Sequence, residues 1–278
     1  MKGRKPWLVG LILLLLIGGY TLSRNNPTPE RDVPSVEMRF QNSSGEPTIE
    51  FTLTVKGTSF THTLEGDAGS FSELPEGVLL YSYEIQRGRS EYLMVDPDGR
   101  TLWRKSFDRS VKFLGYQRGS VILAESENET SERTTVYIIE ATTGKERELS
   151  IGERAFHVSD VLLTGGTVYV AGASLFSGDV VVYVFEGGTS KRILIDSIGD
   201  RLVGVKVLLD SNGERLAVAY SIDSWSGDYR RGLCVFRLPQ MKLEGRFDLP
   251  PGMLQNIELH DGLLTVKTEE ETRTYGLG

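Results

Sequence analysis

The chain has 278 residues, of which 39% are hydrophobic and 25% charged, and this composition suits one folded domain of ordinary size. Its formal net charge of -7 disfavours nucleic acid as a partner, because a phosphate backbone repels a surface of the same sign. The single cysteine, Cys234, excludes an intrachain disulfide and a thiolate metal cluster, and we expect it to be a buried, inert strand residue.

Residues 1–24 predict a signal anchor, which is a transmembrane helix that is not cleaved. Lys2, Arg4 and Lys5 precede an uninterrupted apolar run over 7–22. A helix of that length spans about 24 Å, close to the hydrocarbon thickness of about 30 Å. No small-residue cleavage motif follows the run, although a cleaved secretory signal or a buried core helix is an alternative. The basic residues place the N-terminus in the cytoplasm and the rest of the chain outside it.

Residues 25–35 predict a proline-rich linker that lifts the next domain off the membrane surface. Pro27, Pro29 and Pro34 lie within a stretch that lacks apolar periodicity. We therefore expect a single-pass protein of the cell membrane with an extracytoplasmic domain. If the N-terminal helix is cleaved, the protein is secreted instead.

Residues 36–278 predict one all-β domain, because five stretches share a plan of strand, glycine-containing turn, strand, loop and strand. The shared turns contain Gly77, Gly119, Gly166, Gly213 and Gly262, which are 42, 47, 47 and 49 residues apart. A fourth short strand follows each of the first four stretches. Four antiparallel strands repeated at this spacing are typical of β-propeller blades.

The pattern favours a five-bladed β-propeller, with a six-bladed ring or a two-sheet sandwich as alternatives. Residues 58–65 stand as far ahead of Gly77 as the other fourth strands stand ahead of the following glycine. We therefore expect this segment to complete the C-terminal blade and to close the ring. The strands over 36–41 and 48–55 are either additions to five blades or part of a sixth blade.

The stretches VYIIEATTGKERELS and LLDSNGERLAVAYS resemble blades of WD40-like and quinoprotein-like β-propellers, in which a strand ends at a TGK or DGR turn. The resemblance covers residues 58–278, but the WD dipeptide and the GH pair of such blades are missing. The chain is also similar to uncharacterised bacterial proteins with one N-terminal membrane helix and an extracytoplasmic propeller. This resemblance implies a binding or scaffolding role and transfers no site residues.

The loop SIDSWSGDYRRG, between the second and third strands of the fourth repeat, is a candidate partner-binding site. It contains Trp225, Tyr229, Arg230 and Arg231, residue types that are typical of binding hot spots. The competing interpretation is a solvated hairpin whose tryptophan covers the edge of the core. We expect a non-catalytic module that binds a protein or envelope partner through the face of the domain that carries this loop.

One ionisable residue recurs in the innermost strand of each repeat, and together these residues predict a charged lining of the central channel. They are Glu73, Lys112, Asp160, Lys206 and Glu258. Carboxylates in a channel suit a carbohydrate-active or other hydrolase, which is the alternative function. Two lysines among three carboxylates instead favour mutual neutralisation and a structural lining. A ligand sensor is a third possibility.

No metal or cofactor site is expected. His62, His157 and His260 fall in different repeats and lack ligand spacing. The stretches over 96–99 and 210–214 resemble calcium loops, but both lie where hairpin turns are needed, so turn chemistry is the better interpretation.

Overall fold

A computed structural model describes residues 34–43, 46–126 and 131–278 of the protein. In these ranges the chain forms 22 β-strands in antiparallel sheets and no α-helix, which confirms the all-β prediction. The predicted anchor over 1–24 and nearly all of the linker over 25–35 lie outside the described residues. Within the described ranges, no helix is long and apolar enough to cross a membrane.

The strands form six sheets, and each sheet is a meander in which strands adjacent in sequence are paired. The first sheet contains β1 (Ser35–Ser43), β2 (Glu46–Val55) and β3 (Thr58–Glu65). The second contains β4 (Ala68–Leu74), β5 (Gly77–Glu84), β6 (Arg89–Val95) and β7 (Thr101–Phe107). The third contains β8 (Val111–Gln117), β9 (Ser120–Glu125), β10 (Thr134–Glu140) and β11 (Glu146–Ile151).

The remaining sheets continue the same plan. The fourth contains β12 (Phe156–Thr164), β13 (Thr167–Ser174), β14 (Asp179–Glu186) and β15 (Thr189–Ser197). The fifth contains β16 (Leu202–Ser211), β17 (Arg215–Ser224), β18 (Tyr229–Arg237) and β19 (Lys242–Phe247). The sixth contains β20 (Leu254–His260), β21 (Leu263–Thr268) and β22 (Thr272–Gly276).

The burial of each strand follows its position in its sheet. Every residue of β13 is buried, and its sequence TVYVAGAS is accordingly a continuous run of small, apolar and hydroxyl residues. The outer strand β15 of the same sheet, TSKRILIDS, is mostly exposed and carries the charges. The middle strands are therefore covered on both faces, whereas the outer strands face water.

Within the described residues, five hydrophobic clusters hold the sheets together, and each cluster is shared by two consecutive sheets. Phe51 of the first sheet packs in one cluster with Leu80 of the second, and Phe156 of the fourth packs in another with Ile122 of the third. Consecutive antiparallel meanders that pack face to face are the arrangement of β-propeller blades. The structure therefore supports a propeller fold.

The structure corrects the predicted pairing of residues 58–65. This segment, β3, pairs with β2 along its whole length, from Val55 opposite Thr58 to Thr48 opposite Glu65, and the sixth sheet contains only β20, β21 and β22. A tight turn at Lys56 and Gly57, both with positive φ (49° and 80°), joins β2 to β3. A hairpin closed by so short a turn costs less chain entropy than pairing the two ends of the domain.

The predicted position of β3 within a unit nevertheless agrees with the structure. Phe60 of β3 lies against Gly99 in the next sheet, as Trp103 of β7 lies against Gly144 one sheet further on. Since β7 is the fourth strand of its sheet, β3 occupies the equivalent fourth position. Spacing thus identified the type of strand, but it did not identify the sheet to which the strand belongs.

Cys234 lies in β18 and is buried, as expected, and burial raises the pKa of its thiol. Because the thiolate is the reactive form, we expect a disulfide reagent such as Ellman's reagent to modify Cys234 slowly in the native protein. Unfolding in about 6 M urea should expose the thiol and accelerate the reaction by at least about a hundredfold. Equal rates with and without urea would contradict this burial.

Candidate partner-binding face

Within each sheet, consecutive connections lie at opposite ends of the strands. Connections of the same type therefore lie at the same end in every sheet. The loops between second and third strands, together with the connections between sheets, share one end, which we call the loop face. Its described segments include 85–88, 152–155, 175–178, 198–201, 225–228, 248–253 and 269–271. The predicted loop around Trp225 belongs to this face.

Several exposed apolar side chains lie on or beside the loop face. Trp225 is 76% exposed, and Ile85, Phe176, Tyr229 and Met253 are also exposed. Single exposed apolar residues are normal on a soluble protein, but several on neighbouring loops indicate an interaction surface. We therefore treat this face as the candidate site.

Hydrogen bonds between backbones tie four of these segments to one another. The Leu175 N–H donates to Ala155 O at 3.2 Å, and the Leu202 N–H donates to Leu175 O at 2.8 Å. The Trp225 N–H donates to Arg201 O at 2.8 Å. These bonds form a ladder that crosses the fourth and fifth sheets. The ladder therefore fixes the positions of these loop backbones relative to one another.

Two arginines stack on the exposed ring of Phe176. The guanidinium carbon of Arg154 lies 5.2 Å from the ring centroid, and that of Arg201 lies 5.6 Å from it. Both distances are within the range of a cation–π contact. Arg154, Phe176, Arg201 and Trp225 thus lie beside successive steps of the ladder, and we call these four residues the cation–aromatic row.

The sequence analysis missed Arg154, Phe176 and Arg201. These residues come from two different connections and one short loop, and only the packing of the third, fourth and fifth sheets brings them together. The one available signal was the phenylalanine in the loop SLFSGD, an apolar residue among turn formers. The site predicted from the sequence is confined to a single loop and does not include these three residues.

The four predicted partner-binding residues have different surroundings. Trp225 and Tyr229 are exposed, and the Tyr229 hydroxyl accepts a hydrogen bond from Ser221 Oγ at 3.1 Å. Arg230 donates to Ser197 O at 2.8 Å, and Arg231 donates to Pro250 O and, at 3.4 Å, to Gly252 O. The two arginines thus brace the neighbouring connections, while the aromatic residues face solvent.

Asp200 reinforces the loop that carries Trp225. Its Oδ2 accepts from the Ser226 N–H at 3.1 Å and its Oδ1 accepts from the Arg201 N–H at 2.7 Å. Hydrogen bonds from Ser226, first from its side chain and then from its backbone, lower the pKa of the Asp200 carboxyl. The carboxylate is therefore ionised at neutral pH, and its hydrogen bonds stabilise the loop that carries Trp225.

Among the predicted channel residues, Asp160 joins two sheets. Its Oδ2 accepts from the Leu209 N–H of the next sheet at 2.8 Å, and its Oδ1 accepts from its neighbour Val161 N–H at 2.8 Å. Asp210, which the sequence analysis did not select for this position, accepts in the same way from the Leu259 N–H at 2.7 Å. Carboxylates that accept backbone N–H groups between neighbouring innermost strands act as structural links.

The other predicted channel residues are either exposed or, like Asp160, partly buried. Glu73 and Glu258 are exposed, and Glu258 accepts from Asn256 Nδ2 at 2.9 Å. Lys112 and Lys206 are partly buried. Burial lowers the pKa of Lys206, and the charge of Glu269 partly opposes this effect. The predicted channel residues thus have different environments.

The turns that resemble calcium loops follow turn chemistry. Asp96 Oδ1 accepts from the backbone N–H groups of Asp98 and Arg100 at 2.9 and 2.8 Å. Asn212 Oδ1 does the same for Glu214 and Arg215 at 3.1 and 2.9 Å. In the described part of the chain, no group of three or more His, Cys, Asp or Glu side chains is placed to hold a metal ion.

Comparison with known proteins identifies no family for this chain, since no family model and no curated protein sequence matches it. The solved structures described next match this chain over most of their length, but with low sequence identity and modest structural similarity. Hydrazine synthase of Kuenenia stuttgartiensis is 12% identical with a TM-score of 0.49, over 93% of this chain and 80% of that one. The β-propeller domain of the trilobed protease of Pyrococcus furiosus is 13% identical with a TM-score of 0.47, over 90% and 79%. Kluyveromyces lactis Hsv2 is 11% identical with a TM-score of 0.47, over 88% and 75%. Similarity at this level indicates no activity, ligand or blade number for this chain.

Proposed function

We propose that the protein is a non-catalytic, membrane-anchored β-propeller outside the cytoplasm that binds a protein or envelope partner through its loop face. The observation that carries this proposal is the cation–aromatic row, four residues held side by side by a backbone ladder. A rigid, exposed set of aromatic and guanidinium groups is the composition of an interaction hot spot.

The proposal includes six blades, which was the alternative to five in the sequence analysis. Six sheets are present, and the five clusters join them in chain order. The strands β1 and β2, which the sequence left ambiguous, pair with β3 and with it form the first of these sheets. In this proposal each sheet is one blade, and the first and last blades have three strands each.

The membrane anchor is proposed from the sequence alone. The apolar run over 7–22 behind Lys2, Arg4 and Lys5 supports a helix with its N-terminus in the cytoplasm. An alkaline carbonate wash, which strips peripheral proteins, should leave the full chain in the membrane pellet. A secreted protein that has lost its first residues would instead appear in the culture medium.

Photocrosslinking in living cells tests the binding face directly. A photoreactive phenylalanine analogue in place of Trp225 or Phe176 should give a discrete covalent adduct with a partner, because both side chains are exposed on the loop face. The matched control is the same analogue in place of Leu263, which is 52% exposed beside the turn at the opposite end of the strands.

The pattern of adducts decides the proposal. Adducts from both loop-face positions and none from the control position would support it. Adducts of equal yield from all three positions, or an adduct from the control position alone, would overturn it, because binding would then have no preference for the loop face.

A further inference from the structure

We propose that the outer edge of β22 binds an extended acidic segment of a partner protein as a fourth strand of the sixth sheet. This second interaction surface goes beyond the proposed function and does not depend on the loop face. In the described part of the chain, the second to fifth sheets have four strands each, whereas the sixth has three and no strand pairs with the outer edge of β22.

β22 occupies a position that is buried in other sheets. The third strands β6, β10 and β14 are almost entirely buried, and each has a fourth strand at its outer edge. β22 holds the third position of the sixth sheet, and its residues alternate between exposed and partly buried. The sixth sheet therefore ends one strand earlier than its neighbour and leaves an open edge.

The backbone groups of β22 that point outward follow from its pairing with β21. The Leu277 N–H donates to Gly262 O at 2.7 Å, so the backbone groups of Leu277 face β21. Glu271 O accepts from the Thr268 N–H at 2.8 Å and also faces β21. Backbone groups alternate in direction along a strand, and the register between these two bonds is regular, so the N–H and C=O of Thr274 point away from β21. A partner strand can pair with such groups by β-augmentation.

A groove of about 450 Å³ lies between Gly276, at the end of β22, and the outer strands of the fifth sheet. Leu243 of β19 lines the groove and is 42% exposed. Phe247 of β19 lines it as well, and the centroid of its ring lies 5.3 Å from that of Tyr275 on β22. Since β19 thus faces β22, a strand added beside β22 lies along the groove and covers apolar side chains.

The charges of the groove favour an acidic strand. Its lining includes the basic residues Arg215, Arg237 and Lys242 and one acidic residue, Glu244. Glu244 contacts Arg215 Nε through Oε2 at 2.6 Å and Arg237 Nε through Oε1 at 2.5 Å. Arg215 also donates to Gly278 O at 2.8 Å. Because basic side chains outnumber acidic ones in this lining, a carboxylate on the added strand is attracted to Lys242, which is exposed.

The domain already contains an ion pair of this kind between neighbouring fourth strands. Lys105 Nζ of β7 contacts Glu146 Oε2 of β11 at 2.8 Å. An acidic residue on the added strand repeats this arrangement with Lys242 of β19. A second copy of this chain fits the groove less well, because β22 itself carries the basic Arg273 and no acidic residue. We therefore expect the added strand to come from an acidic partner.

Titration of the full chain in detergent micelles with a fluorescent peptide of alternating threonine and glutamate tests this inference. Thr274→Pro should weaken binding at least about tenfold, a difference of about 1.4 kcal/mol, because proline lacks the outward N–H. Thr274→Val is the matched control, since it keeps that N–H and should bind like the unchanged protein. Both variants lose the contact of Thr274 Oγ1 with Thr265 Oγ1, so this contact cannot explain a difference between them.

Two further titrations do not depend on the folding of the proline variant. The same peptide with every backbone nitrogen methylated keeps its side chains but cannot donate to β22, and it should bind the unchanged protein at least about tenfold more weakly. Lys242→Glu should weaken binding of the unmethylated peptide at least about threefold. Lys191→Glu is its control, because Lys191 is exposed on β15 and does not line the groove.

Equal binding by the proline and valine variants, or undiminished binding of the methylated peptide, would overturn strand addition. Equal binding by Lys242→Glu and Lys191→Glu would overturn the acidic chemistry of the partner. A dimer of the full chain that Thr274→Pro dissociates would assign the edge to a second copy and also overturn the proposal. Crosslinking from Trp225 tests the loop face separately, and its result does not change with the outcome of these titrations.

Discussion

Substitution of Phe156 by alanine is expected to lower the free energy of unfolding by about 3–5 kcal/mol. Phe156 is fully buried at the start of β12, in the cluster that joins the third and fourth sheets. Its ring meets that of Tyr183 edge-on, with centroids 5.4 Å apart and planes at 90°. Alanine removes this contact and leaves a cavity in the close-packed core between the third and fourth sheets.

Urea unfolding of the full chain, followed by circular dichroism, measures the effect. The matched control is Phe40→Ala on β1, where the side chain is 60% exposed, and its expected change is within about 0.5 kcal/mol. A loss below about 1 kcal/mol at Phe156 would mean that the core between these sheets is not packed as described.

Gly172→Ala is expected to cost at least about 3 kcal/mol, because there is no space for the added methyl group. A Cβ at this position would lie 1.9 Å from the backbone oxygen of His157 and 2.9 Å from Phe156 Cζ. Gly172 pairs with Val158 beside a bulge in β12, and a backbone oxygen in a paired strand cannot move away without breaking the ladder. We therefore expect the β12–β13 pairing to open locally.

Gly152→Ala provides the control for this second substitution. A Cβ there meets nothing within 4 Å and Gly152 has no positive φ, so the expected change is small or slightly stabilising. Thermal unfolding of both variants gives the comparison. Equal melting temperatures for the two variants would show that His157 and Phe156 do not confine Gly172.

The positions of the strands were largely predictable, because the signals that set them are local. Alternation and continuous apolar runs mark a strand, and glycines such as Gly119 and Gly213 mark turns that need positive φ. That residues 58–65 occupy the position of a fourth strand was predictable for the same reason. The sheet that residues 58–65 join was not predictable. Their pairing partner depends on the competition between a short hairpin with β2 and pairing with the edge of the C-terminal sheet.

The candidate site was predictable only in part. An exposed Trp225 in a polar loop carries its own signal, since tryptophan is rarely placed in water without a function or a packing role. The contacts of Arg154 and Arg201 with Phe176 leave no signal in the sequence, because the three residues lie in different connections and come together only in the folded structure. Asp160 was selected for its charge, and its bond to the Leu209 N–H could not be foreseen from spacing.

By itself the sequence determined a β-rich repeat, its strand boundaries, a buried lone cysteine and the residue types on the loops, because periodicity and turn chemistry act over a few residues. The tertiary structure alone decided how the strands divide into six sheets, which side chains join neighbouring sheets, and which loops lie side by side. The physical reason is that packing between sheets and hydrogen bonds between loops depend on residues far apart in the chain, and no local pattern specifies which of them will meet.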